Sequence, residues 1–259
     1  MKKKPSLGVF GFSGCAGCQL AIIDCEDQLL DIFSAVEVKV FYEAQSNNDD
    51  NSPVDIALVE GSINTDHQIE HLKAVRERAG LLIVFGSCSH HGGIQAMSLG
   101  DGKWAERYKM VYGDTKINVS QPMEAQPAHK FVKVDGFIPG CPPSSEQMLK
   151  ALSQVVNGSA PVYTNAPVCL ECKFKENDCL LNQGKMCLGP LTMGGCTAPC
   201  PTHNTPCIGC WGLIEEANHA SELKLLKEKG FKTEDIIRRF RVFGGSDIAE
   251  KITQLLEVK

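Results

Sequence analysis

The chain has little aromatic content, with 2 Trp and 4 Tyr among 259 residues. No stretch reaches the roughly 18–20 apolar residues that cross a bilayer, so no membrane span is expected. Positive charge is not in excess: 26 Lys and Arg stand against 31 Asp and Glu, a formal net charge of -5. That balance argues against general binding to nucleic acid or to an anionic membrane surface. The opening Lys2-Lys3-Lys4 resembles the charged start of an export signal. However, the apolar run behind it is too short, no small-residue cleavage site follows, and there is no twin-arginine pair. The expected location is the cytoplasm. Low-complexity segments are absent, as are repeats beyond two similar cysteine sets. The 43% of apolar residues suffices for one large or two ordinary domains.

What the chain has is cysteine, thirteen in all. Eight fall within the 42 residues from Cys169 to Cys210: Cys169, Cys172, Cys179, Cys187, Cys196, Cys200, Cys207 and Cys210. In a reducing compartment such density points to metal or redox chemistry rather than disulfides. Eight thiols are two sets of four, and four thiolates satisfy one tetrahedral zinc or one iron–sulfur cluster.

The first part of the chain alternates apolar strands with amphipathic helices. Strands are expected at Ser6–Phe12, Val36–Tyr42, Val54–Val59, Leu81–Phe85 and Phe131–Ile138. Helices are expected at Gln19–Phe33 (Leu20, Ile23, Leu30 and Phe33 on one side), His67–Ala79 (Ile69, Leu72 and Val75 inward) and Ser144–Val156. Ser144 and Gln147 have capping-box spacing. Gly92–Pro127 reads as irregular. Near-continuous apolar strands separated by helices predict an α/β fold with a parallel sheet covered on both faces. Ligands in such sheets lie beyond the carboxyl ends of the strands. Cys15 and Cys18 follow the first strand, while Cys88 and Cys141 each follow a later one. These four predict a third site, and they leave only Cys25, a small buried hydrophobe inside the first helix.

Composition changes after Asn157. Gly158–Pro167 reads as a linker, dividing a domain over 1–160 from a cysteine-rich domain over 161–259. The cysteine-rich segment is too poor in apolar residues for a core of its own, so metal centres would supply much of its stability. Helix returns after Trp211, with Thr233 as an N-cap and Ile236, Ile237, Phe240 and Phe243 on one face.

Zinc is the alternative for any Cys-x-x-Cys pair, but structural zinc sites usually use two tight knuckles. Each tail set has that spacing at one end only: Cys169-x2-Cys172-x6-Cys179-x7-Cys187 and Cys196-x3-Cys200-x6-Cys207-x2-Cys210. Iron–sulfur cubes accept scattered ligands, and Gly-rich loops offer backbone N–H groups to their sulfurs. Iron–sulfur is therefore favoured. The bacterial ferredoxin run is absent. His67 and His71 stand i, i+4 on a helix without the Glu of H-E-x-x-H and read as an exposed polar face. His90 and His91 beside Cys88 read equally as packing near the Cys88 site or as loop polarity. Glu60 ends a buried strand, where a carboxylate is costly unless paired. The loop over 11–17 resembles a phosphate loop, but Cys15 and Cys18 occupy it, so no nucleotide or FMN is expected.

Taken together, Gly14-Cys15-Ala16-Gly17-Cys18, Val59-Glu60-Gly61-Ser62, Gly86-Ser87-Cys88 and Gly140-Cys141-Pro142-Pro143 resemble the small subunit of [NiFe] hydrogenases. Val168-Cys169-Leu170-Glu171-Cys172, Cys187-Leu188-Gly189-Pro190 and Cys207-Ile208-Gly209-Cys210-Trp211-Gly212 extend the likeness, most of all to delta subunits of cytoplasmic NAD(P)-linked sulfhydrogenases. The resemblance implies a flavodoxin-like domain followed by an iron–sulfur domain. It also implies three [4Fe-4S] clusters: a proximal one on Cys15, Cys18, Cys88 and Cys141, a medial one on Cys196, Cys200, Cys207 and Cys210, and a distal one on Cys169, Cys172, Cys179 and Cys187. The implied partners are a large subunit holding the Ni–Fe site and flavin- and iron–sulfur-containing NAD(P) reductase subunits. Glu60 would lie near the proximal cluster, for proton passage or interface bonding.

Periplasmic members of the family have His where Cys169 stands and Pro where Cys200 stands. Four cysteines at the medial site imply a cubane of lower potential. A methanogen-type hydrogenase feeding another carrier is an alternative, as is a zinc-stapled scaffold. The small iron–sulfur subunit of respiratory complex I is another relative. Its adjacent cysteines and lack of an eight-cysteine tail stand against it.

Overall fold

Five short, apolar, β-branched segments in the first part of the chain become the strands of one parallel sheet. The structure, a computed structural model, describes residues 4–115, 122–163 and 165–244. It comprises two units, Met1–Val162 and Tyr163–Lys259. The strands of the first unit are β1 (Ser6–Gly11), β2 (Glu37–Phe41), β3 (Val54–Glu60), β4 (Ile63–Thr65), β5 (Ala79–Phe85), β6 (Pro122–Gln126) and β7 (Gly136–Ile138). The large sheet has the order β2-β1-β3-β5-β7, with β4 and β6 forming a separate antiparallel pair. Every neighbour in the large sheet is parallel. With the pair set aside, this is the flavodoxin order, in which the chain reverses direction between β1 and β3.

Alternation along the strands produces two cores, because successive side chains point to opposite faces. Leu7, Val9, Ile56, Leu58, Ile83 and Phe85 lie on one face, packed with Ile22, Cys25, Met148, Leu152 and Val155. Phe10, Ala57, Val59, Leu82 and Val84 lie on the other, with Leu72 and Val75. The helices of this unit are α1 (Gly17–Ile23), α2 (Leu29–Ala35), α3 (Asp66–Arg78), α4 (Ser87–His91), α5 (Trp104–Tyr112) and α6 (Ser145–Val156). At α6, Ser144 Oγ accepts the Gln147 N–H at 3.3 Å and Gln147 Oε1 accepts the Ser144 N–H at 2.9 Å, completing the expected capping box.

Three local expectations are corrected. The helix predicted over Gln19–Phe33 breaks into α1, a 3₁₀ turn at Glu26–Gln28 and α2, with Glu26 at φ 44°. Its buried side carries Ala21, Ile22 and Cys25, whereas Leu20 and Leu30 are 46% and 76% exposed. The strand predicted over Phe131–Ile138 shrinks to Gly136–Ile138. Just before it, the Asp135 carboxylate accepts the Leu82 N–H at 2.9 Å and pairs with Arg76 at 2.5 Å. A side chain thereby takes a backbone donor that a longer ladder would have used. The region over 92–127 holds α5 and β6, although 116–121 lie outside the described residues.

The second unit has short helices, α7 (Val168–Phe174), α8 (Pro199–Thr202) and α9 (His219–Glu228), and helical backbone over 233–244. The expectation of helix on to Lys259 extends over 245–259, outside the described residues. The cysteine-rich segment does share a core. Val168, Leu180, Leu181, Leu188 and Leu191 pack with Leu223, Leu226, Ile236 and Phe240. The apolar residues it lacks are supplied from the chain that follows it.

Glu222 lies within this packing, 4% exposed, and burial pushes its carboxyl up to about 7. Because the folded value lies above the ordinary 4.5, the folded chain holds a proton that the unfolded chain gives up. The associated stability is complete below 4.5 and is lost as pH rises through about 7. Glu222→Gln should therefore raise the thermal midpoint more at pH 8 than at pH 5, as read by scanning calorimetry at both pH values. An equal shift at the two pH values would contradict it.

Candidate iron–sulfur sites

The parallel order places the loops after β1, β3, β5 and β7 at one edge of the sheet. Backbone bonds tie these loops together in pairs. The Phe12 N–H bonds the Glu60 carbonyl at 2.9 Å, and Ser13 and Ser62 exchange N–H···O bonds at 3.1 and 2.8 Å. The Ser87 N–H and hydroxyl both bond the Gly140 carbonyl, at 2.8 and 2.9 Å. Cys88 and Cys141 are the residues that immediately follow this tie.

Gly86 stands at φ +82°, and a Cβ there would lie 2.1 Å from Cys18 Sγ. The absent side chain is what admits Cys18 to the loop that carries Cys88. Ala16, in the left-handed region at φ 59°, turns the chain from Cys15 into α1. The Gly17 N–H donates to Cys15 Sγ at 3.4 Å. Cys15, Cys18, Cys88 and Cys141 are all free thiols, with Cys15 and Cys141 exposed. Burial lifts Cys18 well above an ordinary thiol, with added repulsion from Glu60, Cys88, Cys141 and Cys15. Burial, then Cys141, Cys15 and Glu60, pushes Cys88 up to about 11. Burial and Cys15 raise Cys141. The four thiols therefore sense one another although they come from three loops. Cys25 is 1% exposed in the apolar core, its thiol donating to the Ala21 carbonyl at 3.4 Å.

Glu60 is 4% exposed and accepts a bond from Gln19 Nε2 at 2.8 Å. Burial raises its carboxyl, against bonds from Gln19 and Cys18 that lower it. Gln19 is itself 5% exposed and was not singled out from the sequence. The available signal was its place directly after Cys18. His71 is half-buried against Phe10 and Phe12, with ring centroids at 6.3 and 5.4 Å, rather than on an exposed face; His67 is exposed. His90 stacks on Phe137 at 4.1 Å, and burial drives its imidazole down to about 3. Of the two readings, packing is the one seen for His90.

In the second unit Cys169 senses Cys187, Cys172 and Cys179, Cys196 senses Cys200, and Cys207 senses both Cys187 and Cys196, so the two expected sets adjoin at Cys207. A Cβ on Gly189 would lie 3.2 Å from Cys169 Sγ and 3.6 Å from Cys187 Sγ. Cys169 is raised to about 12 by burial, then by Cys187, Cys172, Cys179 and Cys207. Cys187 Sγ accepts the Cys207 N–H at 3.3 Å, and Cys172 Sγ receives Asn177 Nδ2 at 3.7 Å. Cys196 is pushed up to about 11 by burial, with Glu171 and Cys200 adding to the rise and the Ala198 N–H opposing it. Burial lifts Cys207 to about 12 although Thr192 and the Gly209 N–H pull the other way, and Cys187 and Cys196 both repel it. Cys210 is half-buried, three residues beyond Cys207.

Among the described residues, no three His, Cys, Asp or Glu gather closely enough to hold a single metal ion. The donor sets nevertheless fit iron–sulfur clusters. Each is all-thiol and comes from Gly-rich loops with backbone N–H groups on some of its sulfurs.

The family model for the 20 kDa subunit of NADH ubiquinone oxidoreductase matches residues 15–155, ending before the cysteine tail. The chain is 38% identical to sulfhydrogenase 2 subunit delta of Pyrococcus furiosus, over 92% of this chain and 98% of that one. It is 32% identical to the NAD-reducing hydrogenase HoxS subunit delta of Cupriavidus necator, over 60% of this chain and 80% of that one. An NAD+-reducing [NiFe]-hydrogenase structure shares the fold, with a TM-score of 0.56, 24% identity and coverage of 62% of this chain and 96% of that chain. The chain belongs to the family of the NADH ubiquinone oxidoreductase 20 kDa subunit. Within it, the chain is a small subunit of the [NiFe] hydrogenase type, part of an oxidoreductase. No helix among the described residues is long and apolar enough to cross a membrane.

Gly86→Ala should remove the N-terminal site selectively. The added Cβ would collide with Cys18 Sγ at a backbone angle hostile to side chains. The purified complex should lose the iron of this site, about a third of the total for the three cubes that the resemblance implies. Iron analysis of wild type and variant checks this, and unchanged iron would mean that Cys18 is not a ligand.

Proposed function

We propose that this chain is the electron-transfer small subunit of a cytoplasmic, bidirectional [NiFe] hydrogenase, with three [4Fe-4S] clusters. In this reading the domain over 1–160 holds the proximal cluster with Cys15, Cys18, Cys88 and Cys141. The domain over 161–259 holds the medial cluster with Cys196, Cys200, Cys207 and Cys210, and the distal cluster with Cys169, Cys172, Cys179 and Cys187. Bound clusters supply one-electron exchange, so three in series would relay electrons between the large subunit's Ni–Fe site and a flavin- and iron–sulfur-containing NAD(P) reductase. The observation that supports the reading is the mutual repulsion of Cys15, Cys18, Cys88 and Cys141, from three separate loops at one sheet edge, with Cys169 likewise repelled by Cys187, Cys172 and Cys179 in the second unit.

The chain's own contributions are those of a scaffold. Glycines give the sulfurs room, and backbone N–H groups face them. Gln19 holds the buried Glu60 carboxyl beside Cys18. Protonated at that position, Glu60 could pass a proton at the interface; ionised, it could bond a partner group there. In this reading the large subunit would dock over the exposed Cys15 and Cys141. No nucleophile or acid–base pair is needed. The HoxS relative, through its name, supports an NAD(P)-linked partner.

The test is metal and sulfide analysis of the complex purified without oxygen, with electron paramagnetic resonance of the reduced sample. About twelve Fe and twelve sulfides in this chain are expected, three cubes of four. Zinc without sulfide would replace the relay with a stapled scaffold. Three clusters without NAD(P) reduction would favour a methanogen-type carrier.

A further inference from the structure

Glu171 lies inside the Cys169-x2-Cys172 knuckle, yet its side chain serves the other thiol set. Oε1 accepts the Gly195 N–H at 2.7 Å. Oε2 stands 3.9 Å from Cys196 Sγ, which in the free thiol state donates toward it. The approach is fixed by backbone on both sides. The Val168 N–H bonds the Thr192 carbonyl at 2.9 Å, the Gly194 N–H bonds the Ala166 carbonyl at 2.6 Å, and Pro167 bridges Met193. The segment entering α7 is thus strapped along the segment leading to Cys196, and the Glu171 carboxylate closes the strap. No salt-bridge partner of Glu171 is present among the described residues.

A cysteine that ligates a metal has given up its proton. The Cys196–Glu171 contact then changes from a hydrogen bond to a carboxylate facing a sulfur anion. Adding an electron to a cluster there adds a further negative charge, which the carboxylate opposes. We infer that Glu171 is a positioning residue for the relay: from the knuckle of the Cys169 centre, its carboxylate lowers the potential of the centre held by Cys196, Cys200, Cys207 and Cys210. This rests on the cluster reading above. It adds a link between two neighbouring centres through one side chain, separate from the choice of ligands.

The test uses the complete hydrogenase complex, purified without oxygen, with Glu171→Gln in this subunit. The amide oxygen of Gln can still accept the Gly195 N–H, so the variant removes charge and keeps the strap. Redox titration followed by electron paramagnetic resonance reads each centre's midpoint. Cys196→Ser, which perturbs one ligand, identifies which signal belongs to the Cys196 centre. The expected result is an upward shift of that midpoint alone, at unchanged iron content, with the proximal signal unmoved. Glu171→Asp, which restores the charge, should bring the midpoint back toward wild type. An unmoved midpoint at full iron content would overturn the inference, as would a shift confined to the Cys169 centre. Loss of iron in Glu171→Gln would make the residue a structural tie and overturn it too. Wild-type complex without iron or sulfide would instead sink the cluster reading itself.

Discussion

Within each unit, burial and neighbouring thiols favour the neutral form of cysteines such as Cys88, Cys169 and Cys207. Burial is the largest cause of each elevated thiol, and neighbouring thiols add to it. A cationic core reverses this balance, because it is the one species that profits from four thiolates at once. Under the proposed reading, folding would be coupled to cluster binding. The second unit, whose regular structure is short, has most to gain from that coupling.

The sheet solves the geometric half of the problem. A parallel strand can deliver its loop only to the carboxyl edge, so residues more than 120 positions apart in sequence meet without a dedicated scaffold. Fine placement comes from a few backbone ties. The double bond from Ser87 to the Gly140 carbonyl sets the Cys88 and Cys141 loops side by side, and the missing Cβ of Gly86 lets Cys18 in. Glu60 is admitted to this edge because Gln19, also buried, gives it a hydrogen bond.

In the second unit the ordering principle is different. Short helices and turns are held on an apolar core that the later helices complete, and side chains add bridges between segments with little ladder between them. Asn177 reaches Cys172, Thr192 meets Cys207, and Glu171 reaches Gly195 and Cys196. Such a unit places charge and hydrogen bonds close to its thiols with little regular secondary structure. That suits the proposed relay, in which this chain would hold redox centres rather than break bonds itself.

The α/β class, the capping box at Ser144 and the gathering of Cys15, Cys18, Cys88 and Cys141 at one edge were legible in the residues. Each follows from local periodicity or from the chain rules of parallel sheets. The break in the helix after Ile23 was not legible, and neither was the shortening of the strand before Ile138. In both, tertiary contacts outweighed local preference: packing turned Ala21, Ile22 and Cys25 inward in place of Leu20, and the Asp135 side chain took the Leu82 amide. The roles of Gln19 and Glu171 were hidden for the same reason, since a polar residue beside a cysteine gives no sign of where its side chain ends. Sequence alone determined which residue types stand at the strand ends and how many thiols the chain carries, because spacing and composition are one-dimensional. Only the tertiary structure decided which of those thiols share a neighbourhood and which carboxylates face them, because burial and repulsion act through space.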